Sequence, residues 1–328
     1  MASPNAVFTE LVTTTLRNRK KKTADQISNN NALLSRVNEK GMKRVLTGGR
    51  SIVCELEYAE NSTFQRYSGW DTLNISASDI FTAAEYNWKQ AAVNIGANGL
   101  ELRNNSGKEQ MINLAKGRIS NAIKTMKNNL SSDIYSDGTL SNQIGGLQSL
   151  VSDAGTGTVG GINSSTHTWW KSIVQSAAAP LNGSSSFTPG PTTMDKFMMP
   201  LYMELTRGND KPDLCVMTND YYSFFWEGLS TAQRYAQTNE AIRGFSSVKF
   251  IDMDVVFDGG ATWGSMGSGT SRGYFLNTDY IQYVVHRDAD MSTMEEKVST
   301  NQDGVTIPVI NQANMTVSNR SLQGIIVA

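Results

Sequence analysis

The sequence predicts an α+β fold with one long amphipathic helix as its main support. Apolar residues recur at spacings of three and four from Met111 to Ile134, which is one continuous helical stripe. Ile52, Cys54, Leu56 and Tyr58 alternate with polar or exposed positions, the period of a half-buried strand. Beyond Val151, short helical and short strand-like runs alternate between loops rich in Gly, Ser, Thr and Pro, the texture of a compact α/β lobe.

Length and composition narrow the possibilities. The 328 residues allow one large or two ordinary domains. Hydrophobic residues make up 39% and charged residues 18%, so a full core requires a neutral-polar surface, which Ser, Thr and Asn supply. A net charge of -1 gives no long-range attraction to nucleic acid or to an anionic membrane. Cys54 and Cys215 sit inside apolar strand-like runs and read as buried free thiols of a protein made in a reducing compartment. The opening MASPNAVFTELVTTTLRNRKKK lacks the apolar centre of a secretory signal, and no run reaches the roughly 18 apolar residues of a membrane span. The expectation is a soluble, unsecreted chain without glycosylation at sequons such as Asn74-Ile75-Ser76.

Residues 1–48 are helix-leaning and polar. Phe8, Leu11, Val12 and Leu16 form one small stripe, and Leu33, Leu34 and Val37 another. Neither is wide enough to build a core, so this arm needs a surface to dock on. Its basic run from Arg17 to Lys22 reads first as a solvated helix end. After Gly48-Gly49 come RSIVCELEY and TFQRYSGWDTLNIS, read as two strands of a hairpin turning at AENS. Such a hairpin is barely stable alone in water. Its aromatics Tyr58, Phe64, Tyr67 and Trp70, with Arg66 among them, are candidates to lie on a neighbouring subunit. AAEYNWKQAAVNI reads as one further strand. Ser106 to Glu109 has the S-x-x-E pattern of a capping box, opening the long helix that Asp137-Gly138 closes. NQIGGLQSLV then reads as a double-glycine turn entering a short strand, with Gly145 and Gly146 supplying backbone angles other residues resist. TMDKFMMPLYMELTRG and NDYYSFFWEGLSTAQRY read as helices, the first interrupted by Pro200. PDLCVMT and VKFIDMDVVF read as strands, and the chain from residue 273 on as returning strands.

No chemistry stands out. His167 and His286 are the only histidines, and neither they nor the cysteines have metal-ligand spacing. Both read as structural or surface histidines. Gly155 to Gly160 matches G-x-G-x-x-G by letter, but loop-like residues follow it and no acid lies about 20 residues on. The SGKEQ run lacks the glycine and the hydroxyl of a phosphate loop. The expectation is a non-enzyme without cofactor or metal.

The segment from Ala83 through Asp153, above all the combination of spine helix, SDGT and GGLQSLV, resembles the major capsid proteins of tailed bacteriophages. That fold is shared with herpesvirus capsid floors and encapsulins. The resemblance implies an N-terminal arm (1–48), an extended hairpin loop (49–78) and a peripheral domain (79–150) with its spine helix at about 107–135. It further implies an axial domain (151–272) and return strands of the peripheral domain (273–328). It implies a homo-oligomeric virion shell of hexamers and pentamers, assembled in the host cytoplasm around DNA bound without sequence specificity. Separate scaffolding, portal and decoration proteins are possible partners, and an encapsulin-type compartment is the alternative. Intersubunit contacts would fall on Phe8, Leu11, Tyr58, Phe64, Arg66, Tyr67, Trp70, Gln143, Gly145 and Gly146. Some members of the family join subunits covalently through a lysine on the extended loop. Between Gly49 and Trp88 there is no lysine, so boiled shells are expected to run on denaturing gels without a ladder of multimers.

Overall fold

The computed structural model describes residues 31–104, 114–181, 188–229, 248–258, 271–295, 297–298 and 303–327. Phe8, Leu11, the basic run and the capping box lie outside them. Helix α1 (Ala32–Glu39) opens the described chain, and the Asn31 side chain caps it by accepting from the Leu34 amide, one of the donors a helix start leaves free. Ala32, Leu33 and Val37 are buried, and β1 (Lys43–Leu46) adds parallel to β12 (Ile281–His286). Residues 31–46 therefore dock on their own subunit, which supplies the surface this stretch needs. Charge adds to the docking: Arg36 and Lys40 each approach Asp213 at 3.1 Å.

The first sheet is built on β15 (Gly304–Val317), which pairs antiparallel with β4 (Lys89–Asn98) from Ala313↔Lys89 to Gly304↔Asn98. Its other edge pairs with β12, β13 (Ser292–Thr293) and β14 (Lys297–Val298). The AAEYNWKQAAVNI run is two strands rather than one. It breaks at Trp88 between β3 (Phe81–Asn87) and β4, because β3 leaves the sheet to pair with β2 (Ser51–Glu57). A short helix α2 (Gly99–Asn104) precedes the spine helix, described here as α3 (Leu114–Asp133). The spine lies on β4 and buries Ala122, Met126, Leu130 and the following Ile134, the stripe the sequence spacing requires. Each large member contributes about 1.5–3 kcal/mol by leaving water.

GGLQSLV enters a helical turn, α4 (Leu147–Leu150), not a strand. Its two leucines sit three apart and are both buried, which one helical turn achieves and a strand would not. The role expected of the glycines is also corrected. Neither has a positive φ. Gly146 is needed for closeness: a Cβ there would lie 2.4 Å from the Asp133 carbonyl oxygen and 2.5 Å from the Ser136 amide nitrogen. Gly146→Ala is expected to cost about 1–3 kcal/mol through forced backbone movement, read as a lower denaturation midpoint. An unchanged midpoint would show that the spine terminus yields freely.

The second sheet runs β7-β16-β11-β8-β10-β9. Its strands are β7 (Ile173–Ser176), β8 (Leu214–Met217), β9 (Val248–Phe250), β10 (Met253–Phe257), β11 (Arg272–Leu276) and β16 (Gly324–Val327). VKFIDMDVVF is thus an antiparallel pair turning at Ile251 (φ 59). The return strands divide between the sheets: β12 to β15 join the first, whereas β11 and β16 join the second. Helix α5 (Met194–Leu205), which contains Pro200, packs on β7 and β16, and α6 (Asn219–Gly228) packs on β8 and β10. Helix α6 follows Thr218, whose side chain makes no capping hydrogen bond. Cys54 and Cys215 are buried and free.

A polar knot joins the arm root, the spine and the second sheet. The Tyr135 hydroxyl donates to Asp258 at 2.6 Å, the Ala32 amide donates to the same oxygen at 3.4 Å, and Asn31 donates to Ser131. Burial pushes the Asp258 carboxyl above its ordinary value, and the Tyr135 and Ala32 bonds offset this only in part. The folded state therefore binds the proton more readily than the unfolded chain, whose Asp titrates near about 3.9. Stability from this group is fully present below that value and is lost as pH rises through the folded pKa. Lowering the pH from 7 toward 4 should thus favour the native chain over Asp258→Asn. Paired urea melts test this, and a relative loss by the native chain on acidification would reverse the assignment.

Candidate functional site

Among the described residues, the feature that stands out is the hairpin and its tip. Strands β2 and β3 pair from Ser51↔Asn87 to Glu57↔Phe81. One face, Ile52, Cys54, Leu56, Ala84 and Tyr86, is buried against the body. The Tyr86 hydroxyl donates to the Val317 carbonyl at 2.9 Å, stitching β3 to the end of β15. The other face leaves Val53 and Phe81 exposed.

The second expected strand, residues 63–76, is not one, and AENS is not the turn. Residues 58–80 form a long loop folded back on itself by side chains. The Tyr58 amide donates to the Ile80 carbonyl, Ser62 bonds Ser78, and the Gln65 amide group bridges Thr72 and Asn74. The tip lies at Ser68–Asp71, where the Ser68 amide donates to the Asp71 carboxylate at 2.8 Å and Gly69 adopts φ 51. Side-chain-to-backbone bonds of this kind replace a ladder. The loop carries its apolar groups into solvent: relative exposure is 78% for Phe64, 64% for Tyr67 and 103% for Trp70, with Ile75 and Leu73 also exposed. Arg66 lies over the Phe64 ring at 5.7 Å. Phe64, Arg66, Tyr67 and Trp70 thus occur together on one protruding element. Isolated exposed apolar residues need no explanation, but a contiguous group marks an interaction surface.

The remaining candidates face inward. Tyr58 stacks on Trp169 with ring centroids 5.4 Å apart. Gln143 donates to Asp133 at 2.8 Å, the Gly145 amide donates to Asn314 at 3.1 Å, and Gly146 lies against the spine terminus. Gln143 and Gly146 thereby secure the end of α3.

The G-x-G-x-x-G match is a miniature hairpin, β5 (Thr158–Val159) and β6 (Ile162–Asn163), turning at Gly160 and Gly161, whose φ values are 59 and 77. Consecutive positive φ angles are the reason for two glycines there. Its Gly160 carbonyl accepts from the Glu85 amide at 2.9 Å, so it braces β3. His167 lies beside Trp169, and His286 packs edge-on to Trp88 and accepts from the Asp288 amide. Among the described residues no three His, Cys, Asp or Glu side chains are placed to hold a metal ion, and no helix is long and apolar enough to cross a membrane.

The residue that sequence reasoning missed is Arg320. It is fully buried and donates to the carbonyls of Leu150, Trp170 and Thr156 and to the hydroxyls of Ser164 and Ser152. One side chain thereby fixes the whole segment that carries the miniature hairpin and Trp169. Nothing in the local SNRSLQ sequence marks it.

No family model and no curated protein matches the sequence. Solved structures do match the fold. The cyanophage A-1(L) capsid asymmetric unit aligns over 95% of this chain and 96% of its own at 13% identity, with a TM-score of 0.66. The capsid of Myoviridae phage XM1 aligns over 100% of both chains at 12% identity and TM-score 0.55. The holo-SrpI encapsulin complex from Synechococcus elongatus aligns over 100% of this chain and 96% of its own at 9% identity and TM-score 0.58. The first two are capsid structures and the third is an encapsulin complex. The α+β chain, with its spine helix, two sheets and protruding hairpin, has the tailed-phage major-capsid fold.

Proposed function

We propose that this chain is the structural subunit of an icosahedral virion shell, assembling as hexamers and pentamers around double-stranded DNA. The observation that carries the reading is the aromatic loop at 58–80, held out from a hairpin and left exposed by the described residues. A second copy supplies such a surface, and the contact recurs at every subunit of a closed shell. Full-length likeness to capsid structures supports the same reading. Near-neutral net charge suits a wall that confines DNA rather than grips it, since tight phosphate binding would require clustered cations. Separate scaffolding, portal and decoration proteins are the partners this reading leaves room for, and the host cytoplasm is the place of assembly.

The encapsulin match supports a second reading, a compartment shell loaded with protein cargo. Electron microscopy of the purified protein, followed by nuclease treatment and analysis of the lumen, decides between them. Closed shells with nuclease-protected DNA are expected. Shells holding protein cargo would favour the compartment, and a monomer of 35.9 kDa that never assembles would overturn both.

A further inference from the structure

The extended loop is a lever, and the structure shows what grips its root. Tyr58 is the last residue of β2's line before the loop, and its ring stacks on Trp169 at an interplanar angle of 24°. Trp169 rests in turn on Trp170 at 5.6 Å. Trp170 is buried, and its indole N–H donates to the Val159 carbonyl at 3.0 Å. From the other side, Gly160 donates no side chain but brings its carbonyl to the Glu85 amide. A Cβ at Gly160 would lie 2.8 Å from the Ala84 Cβ and 3.1 Å from the Tyr86 ring, so the miniature hairpin and β3 are in contact with no room to spare. Arg320 anchors the segment bearing both grips to the body.

We propose that Trp169 and Gly160 form a clamp on the root of the hairpin, and that this clamp sets the direction in which the extended loop leaves the subunit. Trp169 is a positioning residue: it touches Tyr58 and acts on the distant tip through it. The leverage is large. A leg of about eleven residues spans at most about 36 Å, so a tilt of about 10° at the root displaces the tip by about 6 Å. Interfaces fail at misplacements of about 1 Å. The consequence for assembly rests on the shell reading above; the clamp itself does not.

Two measurements separate these. Spin labels at Thr72→Cys and Lys196→Cys, both exposed positions, report the tip-to-body distance in the unassembled full chain, where the buried Cys54 and Cys215 resist labelling. Trp169→Ala is expected to widen that distance distribution about two-fold or more, and Trp169→Phe, which keeps a stacking ring, to restore it. Tyr58→Ala should widen it equally, with the double variant no worse than either single one. An unchanged distribution in Trp169→Ala overturns the clamp. In the second measurement, made at a temperature where both chains are fully folded, Trp169→Ala is expected to lower the yield of uniform closed shells about five-fold or more, again restored by Trp169→Phe. A widened distribution with normal shells overturns the link to assembly. A native chain that forms no shells overturns the shell reading and leaves the distance measurement to judge the clamp.

Discussion

Replacing Arg320 with methionine is expected to lower the unfolding free energy by about 3–5 kcal/mol, the largest single-residue effect in the molecule outside its apolar core. The guanidinium is fully buried, and its hydrogen bonds run to neutral oxygens: three carbonyls and two hydroxyls between residues 150 and 170. Burial pulls its pKa down from the usual arginine range, but arginine stays protonated in proteins, so the charge is solvated by oriented carbonyl dipoles instead of by a carboxylate. Methionine matches the stem in shape and relieves the cost of burying charge. It leaves the Leu150 and Trp170 carbonyls without this donor in a buried site, at about 1–3 kcal/mol each, while the Thr156 carbonyl keeps the Ser152 hydroxyl, and the loss at the first two dominates. Lysine is not expected to rescue, because one ammonium cannot span acceptors that the planar fork reaches together. Urea titration of the unassembled chain measures the effect. A loss below about 1 kcal/mol would mean that water enters and replaces the guanidinium.

How much of this was visible in the sequence depends on whether local periodicity or distant contact decides each element. The spine stripe through Ala122, Met126 and Leu130 was readable because the same residues that define the period fill the core. The alternation in β2 was readable for the same reason. The 63–76 segment was misread as a strand because its aromatics satisfy strand preference, whereas Gln65 and Asp71 fold it by bonds that leave no periodic trace. GIIV at 324–327 is a fully apolar run that suits either sheet, and only the register with β7 and β11 places it. Gly146 was recognised as necessary but for the wrong reason, since a close approach to the spine terminus and a positive φ both demand glycine. In the candidate site, Phe64, Arg66, Tyr67 and Trp70 share one short stretch, so their lying on one loop follows from sequence proximity. The inward roles of Tyr58, Gln143 and Gly145 do not, because each depends on a partner at a sequence distance that no pattern encodes.

Trp70→Ala, alone and combined with Tyr67→Ala, is expected to leave the subunit as stable as before while disabling assembly. Both rings project into solvent from a loop whose shape is kept by Gln65, Ser62 and Asp71, so truncation removes little packing among the described residues. The melting midpoint should stay within the equivalent of about 0.5 kcal/mol. At a contact between copies the same rings become central anchors, and losing one costs about 2 kcal/mol per contact. That weakens each contact about thirty-fold. Because a closed shell repeats the contact at every subunit, the protein concentration needed for assembly should rise by at least that factor, measured by light scattering across a dilution series. The two readouts together locate the residues. A lowered melting midpoint would mean that the tip folds onto its own chain. An unchanged midpoint with unchanged assembly would mean that the exposed aromatics face solvent in the shell and that the joining surface lies elsewhere.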